Sequence, residues 1–116
     1  MPPSQPFRGE VWEVSLPRIG PHNVVIMSRN VPALSSVVGI VITHQNGPSV
    51  THVPCGHDDG LTGYDVSYIN VTDVHSIDKA SLRRRRGLLH PTTLARAEYA
   101  LHRYLAFDCE GPPEPS

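Results

Sequence analysis

The residues best suited to acid–base chemistry sit in two short stretches. His22 stands in "LPRIGPHNVVIMSRN", 16–30, directly ahead of the apolar run at 24–27. A side chain on the threshold of a buried strand is held by a rigid element while its tip still reaches solvent, the setting in which a proton carrier works. Imidazole is also the side chain whose ordinary titration falls near neutral pH. The second stretch, "THVPCGHDD" at 51–59, offers His52, Cys55, His57 and Asp58, all able to bind metal. Its H-x2-C-x-H spacing matches no common structural zinc pattern, and one short loop rarely completes a tetrahedron, so neither a metal nor a cofactor is expected. A third feature, "RRRR" at 83–86, looks like a nucleic-acid patch. In a strand, alternate side chains point to opposite faces, so it reads first as a solvated strand surface.

At 116 residues the chain fits one domain with one core. Its formal charge is −1, which excludes a strong global field for a polyanion; any such site must be a local patch. Cys55 and Cys109 are far apart, and no amino-terminal apolar stretch resembles a signal peptide, so a reducing cytoplasm is the expected compartment. No run approaches the ~20 apolar residues that cross a bilayer. Proline punctuates both ends, "MPPSQP" and "EGPPEPS", which predicts frayed tails at 1–7 and 109–116 around a single domain at 8–108.

Periodicity gives the elements that would position these groups. "RGEVWEVSL" alternates Trp12, Val14 and Leu16 against Val11, Glu13 and Ser15, predicting a first strand. Residues 24–28 and 35–43 are continuously apolar and rich in β-branched types, as strands covered on both faces are. The stretch 49–54 reads as an edge strand, because Pro54 supplies no ladder donor. Residues 55–63 read as loop, and 64–77 as another extended segment. A turn capped by Asp78 precedes a last strand in "RRRRGLL". "HPTTLARAEYALHRYLAF" is the one long helix, with Pro91 in its first turn and Leu94, Ala97, Leu101 and Leu105 at helical spacing. Such an order predicts a small, strongly bent sheet with the helix against it.

Taken in order, "RGEVWEVSLP", "NVVIMSRN", "GIVIT" and the stretch from "GLTGYDVSYINVTDVHSIDK" to "LHRYLAF" resemble the MazF/PemK family of type II toxin–antitoxin endoribonucleases, the mRNA interferases, over residues 8–107. The resemblance implies a mainly β fold with a C-terminal helix, an SH3-like barrel of the MazF/Kid/CcdB type. It also implies a homodimer, a cognate MazE-like antitoxin, and metal-independent cleavage of single-stranded RNA, mRNA or tRNA. In the family an arginine just before the second strand and a Thr or Ser ending the third carry much of the chemistry. By position these fall on His22 and Thr43, so the arginine is replaced here. Histidine is the better proton carrier and the weaker phosphate clamp. Asn23 stands where proline is usual and can donate to phosphate; Arg18 and Arg29 are candidates to restore the missing charge. Asp73 and His75 fall where relatives carry RNA-contacting residues. Two alternatives stay open: a member that binds RNA or antitoxin without cutting, and a gyrase poison like CcdB. The second would lead one to expect a terminal Trp-Gly-Ile, where this sequence reads "EGPPEPS".

Overall fold

The computed structural model describes residues 5–61 and 66–106. Strands β1 (Glu10–Leu16), β2 (Gly20–Ile26), β3 (Ser36–Thr43), β4 (His52–Cys55), β5 (Ser67–Asp78) and β6 (Leu82–Leu88) are followed by a helix, α1 (Pro91–Tyr104). They form one six-stranded sheet in the order β4-β5-β3-β2-β1-β6, every pairing antiparallel. A 3-10 turn of only three residues, Lys79–Ser81, joins β5 to β6, although β3, β2 and β1 lie between them in the sheet. Strands sit about 4.8 Å apart, so a flat sheet would separate those two by roughly 19 Å. The short link therefore requires the sheet to curl, which gives the expected SH3-like barrel with its terminal helix. Asp78 caps the link as predicted, its carboxylate accepting from the Ala80 N–H at 3.0 Å.

Curling leaves both sheet faces covered. Val14, Leu16, Val24, Ile26 and Leu82, with Trp12 against them, fill one core. Val11, Val25, Ile40, Ile69 and the helix residues Ala97 and Ala100 fill the other. The β1 alternation thus divides as the sequence predicts, and β2 and β3 are apolar on both faces because each contributes to both cores. Pro91 does open α1, and the His90 Nδ1 accepts from the Thr92 N–H at 3.1 Å. Leu105, placed on the buried stripe by spacing, is 44% exposed, because the helix ends at Tyr104 and Ala106 turns left-handed at φ 57°.

Three boundaries differ from expectation. β2 starts at Gly20, because the β1–β2 hairpin pairs down to Leu16 opposite Gly20; His22 and Asn23 lie inside the strand, not ahead of it. β4 is shifted to His52–Cys55, since the N–H groups of Thr51 and His52 both turn back to the Pro48 carbonyl. Pro54 does sit on an edge strand. At the amino end, Pro6 is fully buried and the Phe7 N–H donates to Glu10 Oε1 at 2.6 Å, so ordered contacts begin before residue 8. The predicted tail at 109–116, Cys109, and residues 1–4 and 62–65 lie outside the described residues. Among the described residues, no helix is long and apolar enough to cross a membrane.

Candidate active site

The β1–β2 hairpin turns through Pro17, Arg18 and Ile19. Arg18 (φ 73°) and Gly20 (φ 77°) both adopt left-handed backbone, which a glycine accepts freely and an arginine only at some cost. Two residues into β2, His22 is half-buried opposite Val14. Its Nδ1 lies 3.3 Å from the Gly20 carbonyl oxygen. A carbonyl only accepts, so this contact requires the proton on Nδ1 and leaves the Nε2 lone pair as the proton acceptor.

Thr43 ends the neighbouring strand, β3. β2 and β3 pair with Val24 opposite Val41 and Asn23 opposite Ile42. The paired ladder ends at Asn23–Ile42, and His22 and Thr43 are the next residues beyond it on the two strands. Opposed residues of an antiparallel pair share a face with Cβ atoms about 5 Å apart, within reach of one phosphodiester. Thr43 Oγ1 accepts the Gln45 N–H at 3.1 Å, which orients the hydroxyl and leaves its own proton to donate. On its other side Thr43 pairs with Tyr68 of β5.

The remaining candidates divide by distance. Asn23 is adjacent to His22 in sequence and points to the opposite face, beside Glu13. Arg18 is exposed at the hairpin tip four residues earlier. Arg29 lies past the other end of β2, seven residues from His22 and so about 23 Å along the strand. Asp73 and His75 are bonded to each other, Oδ1 to Nε2 at 2.6 Å. His75 pairs with Gly39, four residues up β3 from Thr43, or about 13 Å. Between them β5 bulges: the pairs Ile40–Val74 and Ile42–Ile69 bracket two residues' advance on β3 and five on β5. Asn70 Oδ1 holds the bend by accepting from both the N–H (3.1 Å) and the hydroxyl (2.7 Å) of Thr72.

Two residues escape sequence reasoning. Arg86 borders an open cavity of about 220 Å³ together with Glu13, Pro21, His22 and Asn23. No periodicity rule announces it, because a bulge in β6 aims it there. Asp59 is 2% exposed and serves as a structural strut: its Oδ2 accepts the Gly56 N–H at 3.0 Å and its Oδ1 the His90 N–H at 2.7 Å. The "DDG" that contains it reads only as a turn.

Among the described residues, no three His, Cys, Asp or Glu side chains converge closely enough to hold a metal ion. Cys55 is buried, and burial first, with the Asp59 charge second, pushes its thiol up to about 12 from 9.0. Thiolate is the reactive form. At pH 8 Cys55 is therefore expected to resist iodoacetamide in the folded protein and to react on unfolding in guanidinium. Mass spectrometry checks this; labelling as fast in the native state would contradict the assigned burial. The linkage has a definite sign: an unfolded thiol ionises above pH 9 and the folded one does not, so stability falls as pH rises from there towards 12.

Comparison with known proteins agrees with this fold. A mycobacterial endoribonuclease of solved structure is 26% identical, with TM-score 0.77 over 94% of this chain and 97% of its own. A mycobacterial endoribonuclease in complex with its cognate antitoxin is 28% identical, with TM-score 0.78 over 95% and 99%. The MazE–MazF complex of Deinococcus radiodurans, at 15% identity and TM-score 0.75 over 90% and 99%, shares the fold. No curated protein matches the sequence. Residues 7–105 match the model of the PemK-like, MazF-like toxins of type II toxin–antitoxin systems, and the chain belongs to that family.

Proposed function

We propose that this toxin is a sequence-selective endoribonuclease that cuts single-stranded mRNA or tRNA in the cytoplasm, without a metal, by attack of the substrate's own 2′-hydroxyl. The β2–β3 ladder supports the reading, because it ends at Asn23–Ile42 with His22 and Thr43 the next residues on each strand. Such a reaction needs a base for the 2′-hydroxyl and donors for the charge that gathers on the phosphorane. His22 Nε2 takes the proton. The Thr43 hydroxyl donates to a non-bridging oxygen, and water at the half-exposed site returns a proton to the leaving 5′-oxygen. The expected product carries a 2′,3′-cyclic phosphate. Arg18 and Asn23 help hold the strand, and the Asp73–His75 pair meets it farther along the sheet. Arg29, at the other end of β2, has a role only if the RNA crosses the full sheet or a second subunit meets it there.

The protein acts as a homodimer and is restrained by a cognate MazE-like antitoxin; the structure of a similar endoribonuclease with its antitoxin supports that partnership. Incubating purified protein with long RNA in EDTA and mapping the ends tests the reading. Cleavage with cyclic-phosphate ends is expected. RNA left intact while expression still arrests growth would turn the assignment towards a protein target such as gyrase. RNA bound but uncut would mark a toxin whose catalysis was lost with the arginine.

Thr43 gives a graded test. Thr43→Val removes the donor while keeping the shape and is expected to slow cleavage about 100-fold, the scale for one oxyanion donor. Thr43→Ser should stay within about tenfold of wild type. Equal rates for the Val variant and wild type would remove the hydroxyl from the mechanism.

A further inference from the structure

We infer that Arg86 and Asn23 form a subsite for an RNA phosphate next to the scissile one, an inference that rests on the nuclease reading above. β6 bulges twice against β1: Val11 pairs with Gly87 and Trp12 with Arg85, which skips Arg86, and Glu13 pairs with Arg84 and Val14 with Leu82, which skips Arg83. A bulge re-aims its side chain out of the regular alternation. Ion pairing, exposure and the cavity lining sort the four arginines. Arg85 Nε is ion-paired to Glu10 Oε2 at 2.5 Å and Arg84 Nε to Glu13 Oε2 at 3.5 Å. Among the described residues, neither Arg83 nor Arg86 has an ion pair. Arg83 is exposed, whereas Arg86 is half-buried and lines the cavity with His22, Asn23, Pro21 and Glu13.

The one carboxylate in that cavity, Glu13, is already countered by Arg84, so Arg86 and the Asn23 amide are left as donors to an anion. Asn23 and His22 are consecutive in β2 and face opposite ways. An anion held at Arg86 and Asn23 is therefore offset from the His22–Thr43 pair, and it is a flanking phosphate of the same strand. The fork of a guanidinium suits phosphate oxygens, and this position supplies the clamp that histidine at 22 cannot.

The test is binding rather than cleavage, which separates the two ideas. A mixed-sequence 2′-O-methyl RNA cannot be cut by its own 2′-oxygen, and its affinity is read by fluorescence anisotropy across a salt series. Arg86→Ala is expected to bind about tenfold more weakly, the scale of one hydrogen-bonded charge. Its salt slope should also be shallower by about 0.7, the value for one phosphate on a single strand. Arg86→Lys should keep the slope and lose only part of the affinity, which guards against a folding defect in the alanine variant. Arg83→Ala should match wild type. Equal losses for Arg83→Ala and Arg86→Ala would overturn the subsite in favour of diffuse charge. An Arg86 effect confined to a polyglutamate probe would overturn it in favour of an acidic protein partner. Arg86-dependent binding by a protein that cuts no RNA would sustain the subsite and sink the nuclease reading; no RNA binding by wild type would sink both.

Discussion

His22→Ala is expected to slow RNA cleavage by a factor of about 10²–10⁴, the range for removing a general acid–base group. The ring is replaceable in the fold: it is half-buried, and Val14 opposite it belongs to a core closed by Leu16, Val24 and Leu82. Melting temperature should therefore hold while the rate collapses. His22→Arg is the more informative companion. It installs the side chain that the family resemblance implies at this position, strengthening the hold on phosphate while removing the imidazole as proton carrier. The wild-type rate should vary with pH, and the arginine variant should lose that dependence. Initial rates on one RNA from pH 5 to 9 in EDTA distinguish these outcomes. A wild-type profile flat across that range would take His22 out of proton transfer.

The second large effect is on stability. Asp59→Ala removes both acceptor oxygens of a buried carboxylate and strands two backbone donors, the N–H of Gly56 and that of His90. Each unsatisfied buried group costs about 1–3 kcal/mol, so a loss of roughly 2–5 kcal/mol is expected. The consequence reaches α1, because His90 is its capping residue and Asp59 fixes where the cap sits. The carboxylate's own backbone is wedged as well: a Cβ at Gly87 would lie 2.5 Å from the Asp59 carbonyl oxygen. A fall in melting temperature of about 10 °C or more follows for a domain of this size. Asp59→Asn keeps one acceptor and should fall between. Circular dichroism melts decide it, and an alanine variant within about 2 °C of wild type would contradict the strut.

Much of this molecule is legible in its sequence because the signals are local. Alternation in β1 separates Trp12, Val14 and Leu16 from Val11; unbroken apolar runs mark β2 and β3 as covered on two faces; Pro91 marks the start of α1. What escapes depends on pairing. The start of β2 at Gly20 is set by its hairpin partner Leu16, not by hydrophobicity, so the polar stretch Pro21-His22-Asn23 looks like loop until register is known. The bulge that turns Arg86 into the cavity is equally invisible, since four identical residues carry no pattern to break. Asp59 illustrates a third limit. Its partners are backbone N–H groups, one of them 31 residues away, and no side-chain motif encodes them. Only the family resemblance makes His22 and Thr43 candidates. Their place just past the end of one shared ladder emerges only from the β2–β3 register.

The joint action of these two residues is most directly measured by a double-mutant cycle on cleavage in EDTA with His22→Ala, Thr43→Val and the pair combined. Two groups acting on one phosphodiester form a unit, so the double variant should be no more than about threefold slower than His22→Ala alone. Losses that multiply in full would show two independent contributions and contradict a shared site, and cleavage at wild-type rate by either single variant would contradict it outright.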